Sequence, residues 1–460
     1  MGAESTSTIR TLAGFISQSE LAPSRVAREQ IRLALIDTLG CIIAGSRLPV
    51  AAKTRTAIAD AMMFGAEGSF VFGTKNRAPP MTAAFLNATA GHALEFDDWE
   101  IPGNTHPSIV LFPALLAASV KGASGNALVD AYTAGFEVIA RLGDAMNFEH
   151  YDRGWHTTMS LGCIGAAGAV ARLWQLPLEH TANALSIAVT RASGYTCQFG
   201  SDVKALHAGF AAEIGVQAAT LARAGVCGQA HAIDHPKGFA ALLAHTDKQR
   251  VENAMKKVGT TLAIDEYGLL FKPWPSCGYT HRLMCCAIQL RHEKIDHKRI
   301  TAIEMRIPDF HAAILPYQKP SDRREALFSL PFCVAMALLE GHLSPNDLAT
   351  QTWNRDDVQA LISVCSLNPF TPQKPELNYD AEQPDQLILT MADGHAFEAT
   401  CAYPLGAPQN PMSAEQIVNK FCDNTGLSRD AQIVASLLSW QQNDNVCDIV
   451  AVLGERNGKT

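Results

Sequence analysis

Residues 91–114 read GHALEFDDWEIPGNTHPSIVLFPA. Positions 81–94 place small and apolar residues at helical spacing, and positions 107–120 resume it, with Thr105 as the expected cap and Pro107 in the first turn. The polar stretch between them is therefore a loop slung between two buried helices. It carries Glu95, Asp97, Asp98, Glu100 and His106, groups that accept or give protons near neutral pH. The plainer alternative is a solvated acidic loop that only caps a helix.

Helical periodicity extends outward from this loop. It covers 25–45, 51–64, 126–147, 158–175, 179–193 and 203–224, and no convincing strand ladder interrupts it. The run GCIGAAGAVARLW after Leu161 spaces small residues three and four apart, which lets a neighbouring helix come close. Beyond about Leu270 the texture changes. Segments 300–307, 386–391 and 395–402 alternate or run β-branched, and Ala392-Asp393-Gly394 reads as a hairpin turn. Helices are expected at 277–291, 323–341, 355–364, 413–423 and 428–438, and residues 367–384 form a loop. The fold class is mainly α: a large all-helical unit, to which the final helices return, and a smaller α+β unit reached through the proline-rich stretch FKPWPSCGYTH.

The chain has 460 residues, 47% hydrophobic and 18% charged, with aromatics at 7%. These values describe a well-buried protein of closely packed helices. A formal charge of -8 leaves no basic footprint for nucleic acid, so an anionic substrate must be held by a local cluster of basic side chains. The twelve cysteines are scattered, with only Cys285 and Cys286 adjacent and no C-x-x-C. They read as reduced thiols of a cytoplasmic protein, and the spacing speaks against structural zinc and gives no support for an iron–sulfur cluster. No apolar run reaches membrane-spanning length, and the amino terminus lacks a secretory core, although Gly2 and Thr6 fit the permissive myristoylation pattern. No phosphate-binding glycine motif is present, so nucleotide binding lacks support.

Polar residues gather in further segments. His156, after Arg153, sits near a helix amino terminus, where the dipole keeps an imidazole neutral and usable as a base. Lys204 and His207 lie three apart at the start of a long helix, where a lysine opposes the dipole unless an anion is bound beside it. Lys272, Cys277, Tyr279, His281 and Arg282 lie at the junction of the two units, where ligand clefts tend to form. Helix capping, a solvated lysine and a buried structural thiol are the bland alternatives for His156, Lys204 and Cys277. Arg323 and Arg324 sit on a segment whose periodicity is mostly helix and core, and they too could face the cleft.

The chain resembles the MmgE/PrpD family through GHALEFDDW and THPS, GWHTTMSLGCIGAAGAVARL, VKALHAGFAAEIGVQAATLARAG, KPWPSCGYTH and FSLPFCVAMALLEG, all in the family's order. The resemblance implies a helical domain of residues 1–271 and 405–460, an inserted α+β domain of residues 272–404, a homodimer and a cleft between the domains. Family members include 2-methylcitrate dehydratases, cis-aconitate decarboxylases and iminodisuccinate epimerases, none known for a dissociable organic cofactor. The family's polar site maps onto Glu95, His106, His156, Lys204 and the 277–281 segment. The chain departs from the family in three places. It reads Glu95-Phe96-Asp97-Asp98-Trp99 where many relatives have D-F-D-D-T, it lacks the G-H-P-S-D-N-like segment associated with the dehydratases, and it has Cys277 where some decarboxylases carry histidine.

These reactions share proton control at carbon next to a carboxylate. The expected activity is a cofactor-independent lyase, a dehydratase or decarboxylase, acting on a small di- or tricarboxylic acid. An epimerase of a dicarboxylate such as iminodisuccinate is the runner-up. His106 and His156 are candidates for general base and acid, and Asp97 or Asp98 for orienting a histidine. Lys204, Lys272 and Arg282 are candidates for steadying the carbanion, with Arg153, Cys277, Tyr279, His281 and His207 as further substrate contacts. Two other classes compete: a metal-dependent hydrolase using His92, Asp97, Asp98 and His106, and a non-catalytic anion-binding helical protein.

Overall fold

Serine caps start several of the helices. Ser24 accepts the Ala27 N–H to open helix Arg25–Gly45, Ser124 does the same for Ala127 ahead of Gly125–Asp152, and Ser413 forms a capping box with Gln416. The computed structural model describes residues 7–18, 20–59, 68–244 and 248–457. The expected helix over 51–64 is seen as Pro49–Ala59, its last part lying outside the described residues, as do Gly2 and Thr6.

Helices Pro80–His92, Pro107–Ala118, Gly125–Asp152, Gly162–Leu173, Leu178–Thr190 and Asp202–Arg223 build the larger apolar core. Small residues set its spacing: a methyl added at Gly165 would lie 2.8 Å from the Gly135 carbonyl oxygen, so these two helices touch through backbone. The same core takes in the end of the chain, from Ile417 to Leu453. Helix Ala414–Thr425 packs on Arg25–Gly45, where a methyl at Gly40 would stand 3.2 Å from the Phe421 Cα.

A second apolar core runs from Leu270 to Ala407 and includes Trp99 from the acidic loop. It is built on a four-stranded sheet ordered Cys365–Leu367, Ile300–Arg306, Asp385–Met391, Ala396–Cys401, with the first pair parallel and the others antiparallel. Along Asp385–Met391 every second residue is buried, which turns Leu387, Leu389 and Met391 toward helix His281–Arg291. Trp99 and Leu270 exchange backbone hydrogen bonds of 3.0 and 2.9 Å, so the acidic loop is stitched to the segment leading into Lys272.

Several expectations need correction. A two-stranded ladder, Ser69–Phe70 with Arg77–Ala78, does interrupt the helical series. The helix expected over 158–175 breaks at Leu161 into Thr157–Ser160 and Gly162–Leu173. The one expected over 323–341 breaks because Ser329 caps a new helix at Leu330. His106, not Thr105, is the N-cap of the Pro107 helix, since the Thr105 hydroxyl is bonded to Glu100 at 2.6 Å. The strand Cys365–Leu367 and the last helix, Val446–Asn457, have no counterpart in the sequence reading. Among the described residues no single helix is long and apolar enough to cross a membrane, and all twelve cysteines are free.

Candidate active site

The acidic loop is buried. Glu95, Asp97, Asp98 and Glu100 are at most 3% exposed, which rules out the solvated-loop alternative. Glu95 adopts a left-handed backbone conformation, φ 54°, unusual for a residue with a Cβ. Lys272 Nζ holds it there, donating to the Glu95 carbonyl oxygen and to its Oε2, each at 3.2 Å. Lys204, four-percent exposed, pairs with the other carboxylate oxygen. One carboxylate thus lies between two ammonium groups. Burial and the neighbouring Lys272 charge bring Lys204 well below the usual lysine range, and burial lowers Lys272 as well.

The histidines form a second buried group. Asp97 Oδ2 lies 2.8 Å from His92 Nδ1 and 3.0 Å from His106 Nδ1. His106 Nδ1 is also 2.9 Å from the Asp98 carbonyl oxygen, which can only accept, so Nδ1 carries a proton and Nε2 is the basic nitrogen. Burial works to raise the Asp97 pKa, but the flanking rings hold it well below the usual carboxylate range. Burial keeps His92 and His156 well below the ordinary imidazole value. The His92 ring stacks on His156 at 5.8 Å, and His156 Nδ1 meets His207 Nδ1 at 2.8 Å.

Glu95, His106, His156, Lys204, Lys272 and Cys277 line one cavity of about 360 Å³ together with Asn104, Tyr151, Phe199, Tyr279 and Phe328, whereas Asp97, His92 and His207 stand outside its lining. A larger hollow of about 1730 Å³, beside Pro80, Trp174 and Arg223, is mainly apolar and has no histidine in its lining.

Sequence profiles of the MmgE/PrpD N-terminal and C-terminal domains match residues 10–252 and 274–442. The chain belongs to the MmgE/PrpD family. This MmgE/PrpD protein is 29% identical over 381 residues to a cis-aconitate decarboxylase of Mus musculus, covering 79% of the chain and 75% of the mouse protein. It is 26% identical to a cis-aconitate decarboxylase-like protein of Aspergillus oryzae, with 95% of each chain covered. With a cis-aconitate decarboxylase of Aspergillus terreus it shares 23% identity over 92% of the chain and 90% of the relative.

Not every residue expected at the MmgE/PrpD site reaches the cavity. Arg153 is exposed at the end of helix Gly125–Asp152. His281 is in the core, 3.1 Å from the Ser276 hydroxyl and packed against Trp274, because the helix it begins turns it away. Arg282 pairs with buried Asp385 and stacks over Tyr379 at 4.6 Å. Asp98 turns its carboxylate to the Pro107 helix, accepting from the Ser108 hydroxyl and, at 3.2 Å, from the Ser108 N–H. Burial pushes Asp98 up to about 8. Glu100 accepts from Gly103, Thr105 and the Thr105 hydroxyl and so shapes the loop. Arg323 donates to the Ala93 carbonyl at 3.2 Å, and Arg324 pairs with Asp322 and Asp202, so neither lines the cavity.

Sequence reasoning missed Asn104, which donates to the Tyr279 hydroxyl at 2.7 Å, and the apolar lining residues Phe199 and Phe328. Their only signal was proximity to segments already chosen. His92 was weighed only as a metal ligand. It lies within 4.8 Å of Asp97 and His106, ligand atom to ligand atom, so this trio could hold a divalent ion, without the fourth ligand expected from Asp98.

Proposed function

We propose that this protein is a lyase that removes carbon dioxide from a small unsaturated tricarboxylic acid of the cis-aconitate type. The observation that carries the proposal is the convergence of Lys204 and Lys272 with His106 and His156 on one cavity. The decarboxylase names of its relatives, aligned over most of the chain, support the choice of reaction.

In cis-aconitate one carboxylate hangs on a methylene next to the double bond. As the bond to that carboxylate breaks, its electron pair moves through the allylic system to the carbon bearing a second carboxylate, and a proton added there gives a dicarboxylate with a terminal methylene. One proton is consumed for each carbon dioxide released. Lys204 and Lys272 are positioned to grip the remaining carboxylates and stabilise the charge that builds on them, in a site whose charged side chains are mostly buried. His106 or His156 delivers the proton, and Asp97 keeps the His106 ring oriented. No step calls on an organic cofactor.

The same reading assigns residues 1–271 with 405–460 to one domain and residues 272–404 to the other, supported by the two separate apolar cores, with the cavity at their seam. A homodimer and a cytoplasmic setting go with it. A hydro-lyase and a dicarboxylate epimerase use the same groups and are distinguished by product. The metal-dependent alternative rests on His92, Asp97 and His106, and undiminished turnover after exhaustive chelation removes it. For the site itself, a His106→Ala, His156→Ala double variant is expected to lose on the order of 10² to 10⁴ in kcat for each group. Full activity would sink the assignment.

A further inference from the structure

We propose that Lys420 is a positioning residue: through two backbone carbonyls it fixes the loop carrying Glu95 and Asp97 against the segment carrying Lys272. The proposal rests on reading the cavity as the catalytic site. Lys420 lies far along the chain, on helix Ala414–Thr425, and is 7% exposed. Its ammonium donates to the Phe96 carbonyl oxygen at 2.6 Å and to the Lys272 carbonyl oxygen at 2.9 Å, and it lies 2.7 Å from Asp37 Oδ1. An ammonium has three protons, and three oxygens surround this one. The Phe96 ring covers it at 3.9 Å.

The choice of carbonyls matters more than the ion pair. Phe96 sits between Glu95, which neutralises the two cavity lysines, and Asp97, which orients His92 and His106. Lys272 is the residue on the opposite wall that grips Glu95. One buried cation therefore sets the separation of the lysine pair from the histidine cluster. A lysine needed only to neutralise Asp37 would have no reason to bridge these two walls. Asp37 is on helix Arg25–Gly45, against which the Lys420 helix packs, so the clamp is anchored in the larger core and does not touch the cavity.

The test uses Lys420→Met combined with Asp37→Asn, which removes the clamp without leaving a buried charge unpaired. Lys420→Gln serves as a second variant, since it keeps two N–H donors on a shorter stem. Decarboxylation of cis-aconitate gives kcat and KM, nitrogen-15 NMR of the histidines reads the His106 ring, and titration with the saturated tricarboxylate tricarballylate gives Kd. The folded double variant is expected to lose at least tenfold in kcat/KM, divided between kcat and KM, with displaced His106 nitrogen signals and weaker tricarballylate binding. Lys420→Gln should fall between it and the parent. If the double variant does not fold, the glutamine variant is read by the same criteria. A folded variant with kcat/KM within twofold and unmoved histidine signals overturns the proposal, leaving Lys420 a core ion pair. Failure of the parent protein to turn over cis-aconitate counts against the proposed function alone, because the NMR and binding measurements still judge the clamp.

Discussion

The Nδ1 atoms of His156 and His207 lie 2.8 Å apart, so one ring must donate and the other accept. The tautomers of the two rings are thereby linked, the proton position on His207 setting that on His156. Burial, with the Lys204 charge beside it, brings His207 down to about 4, so it is a neutral partner near pH 7. Replacing His207 with Phe is expected to lower kcat by roughly 10- to 100-fold, the size found when a hydrogen-bond partner that orients an imidazole is lost, with KM little changed. Steady-state kinetics check this. A rise in KM at constant kcat would make His207 a substrate contact instead.

Adjacent carboxylates are held in opposite states. Asp97 is ionised between two imidazoles, whereas burial holds Asp98 at about 8, mostly protonated at pH 7. Asp97→Asn should cost activity heavily, while Asp98→Asn, close to a mimic of the protonated acid, should retain most of it. The stability effect has a definite sign. A group raised from 3.8 to about 8 binds a proton in the folded state that the unfolded chain lacks across that interval. Its contribution is thus present at low pH and lost as pH rises toward 8. Thermal melts from pH 5 to 8 should show Asp98→Asn gaining on the parent by up to about 1.4 kcal/mol per pH unit. A constant difference would place Asp98 in its ionised form.

Among the described residues Glu95 is the carboxylate paired directly with both cavity lysines, so Glu95→Gln removes the direct partner of Lys204 and Lys272. The variant should be less stable alone and should gain more than the parent in melting temperature from a tricarboxylate, which restores the missing charge. An equal or smaller gain would mean that Glu95 itself contributes to binding.

A polyanion entering this site should draw in protons. Lys204 and Lys272 are opposed by Glu95 and Asp97, and burial lowers Lys204, His92, His156 and His207 together. Beside them the Lys420–Asp37 pair is mutually neutralising, and Asp98, turned to Ser108, is mostly protonated near pH 7. Calorimetric titration with tricarballylate near pH 7 in buffers of different ionisation enthalpy should show at least one proton taken up per site. Zero uptake would contradict the charge balance described here.

Much of this was legible in the sequence because it depends on local pattern. The small-residue helix 162–173, the loop between two apolar helices and the 300–306, 385–391 and 396–401 strands follow from periodicity alone. Glu95, His106, His156, Lys204 and Lys272 were found because each sits in a motif dense in polar residues. His281 and Arg282 were misplaced because position in a segment does not fix the direction a side chain takes. In both cases the first turn of a helix carries them into the core. Lys420 and Asp37 were invisible because their partners are backbone carbonyls and each other, hundreds of residues apart, a relation that leaves no mark on spacing.

The central claim is most directly tested by proton NMR of chelator-treated protein with cis-aconitate in heavy water. Release of carbon dioxide is expected, with a terminal-methylene dicarboxylate carrying one deuteron on the carbon next to a carboxylate, and with the signal lost in the His106→Ala, His156→Ala variant. Recovery of cis-aconitate unchanged, or its conversion only to a hydrated acid, would contradict a decarboxylase.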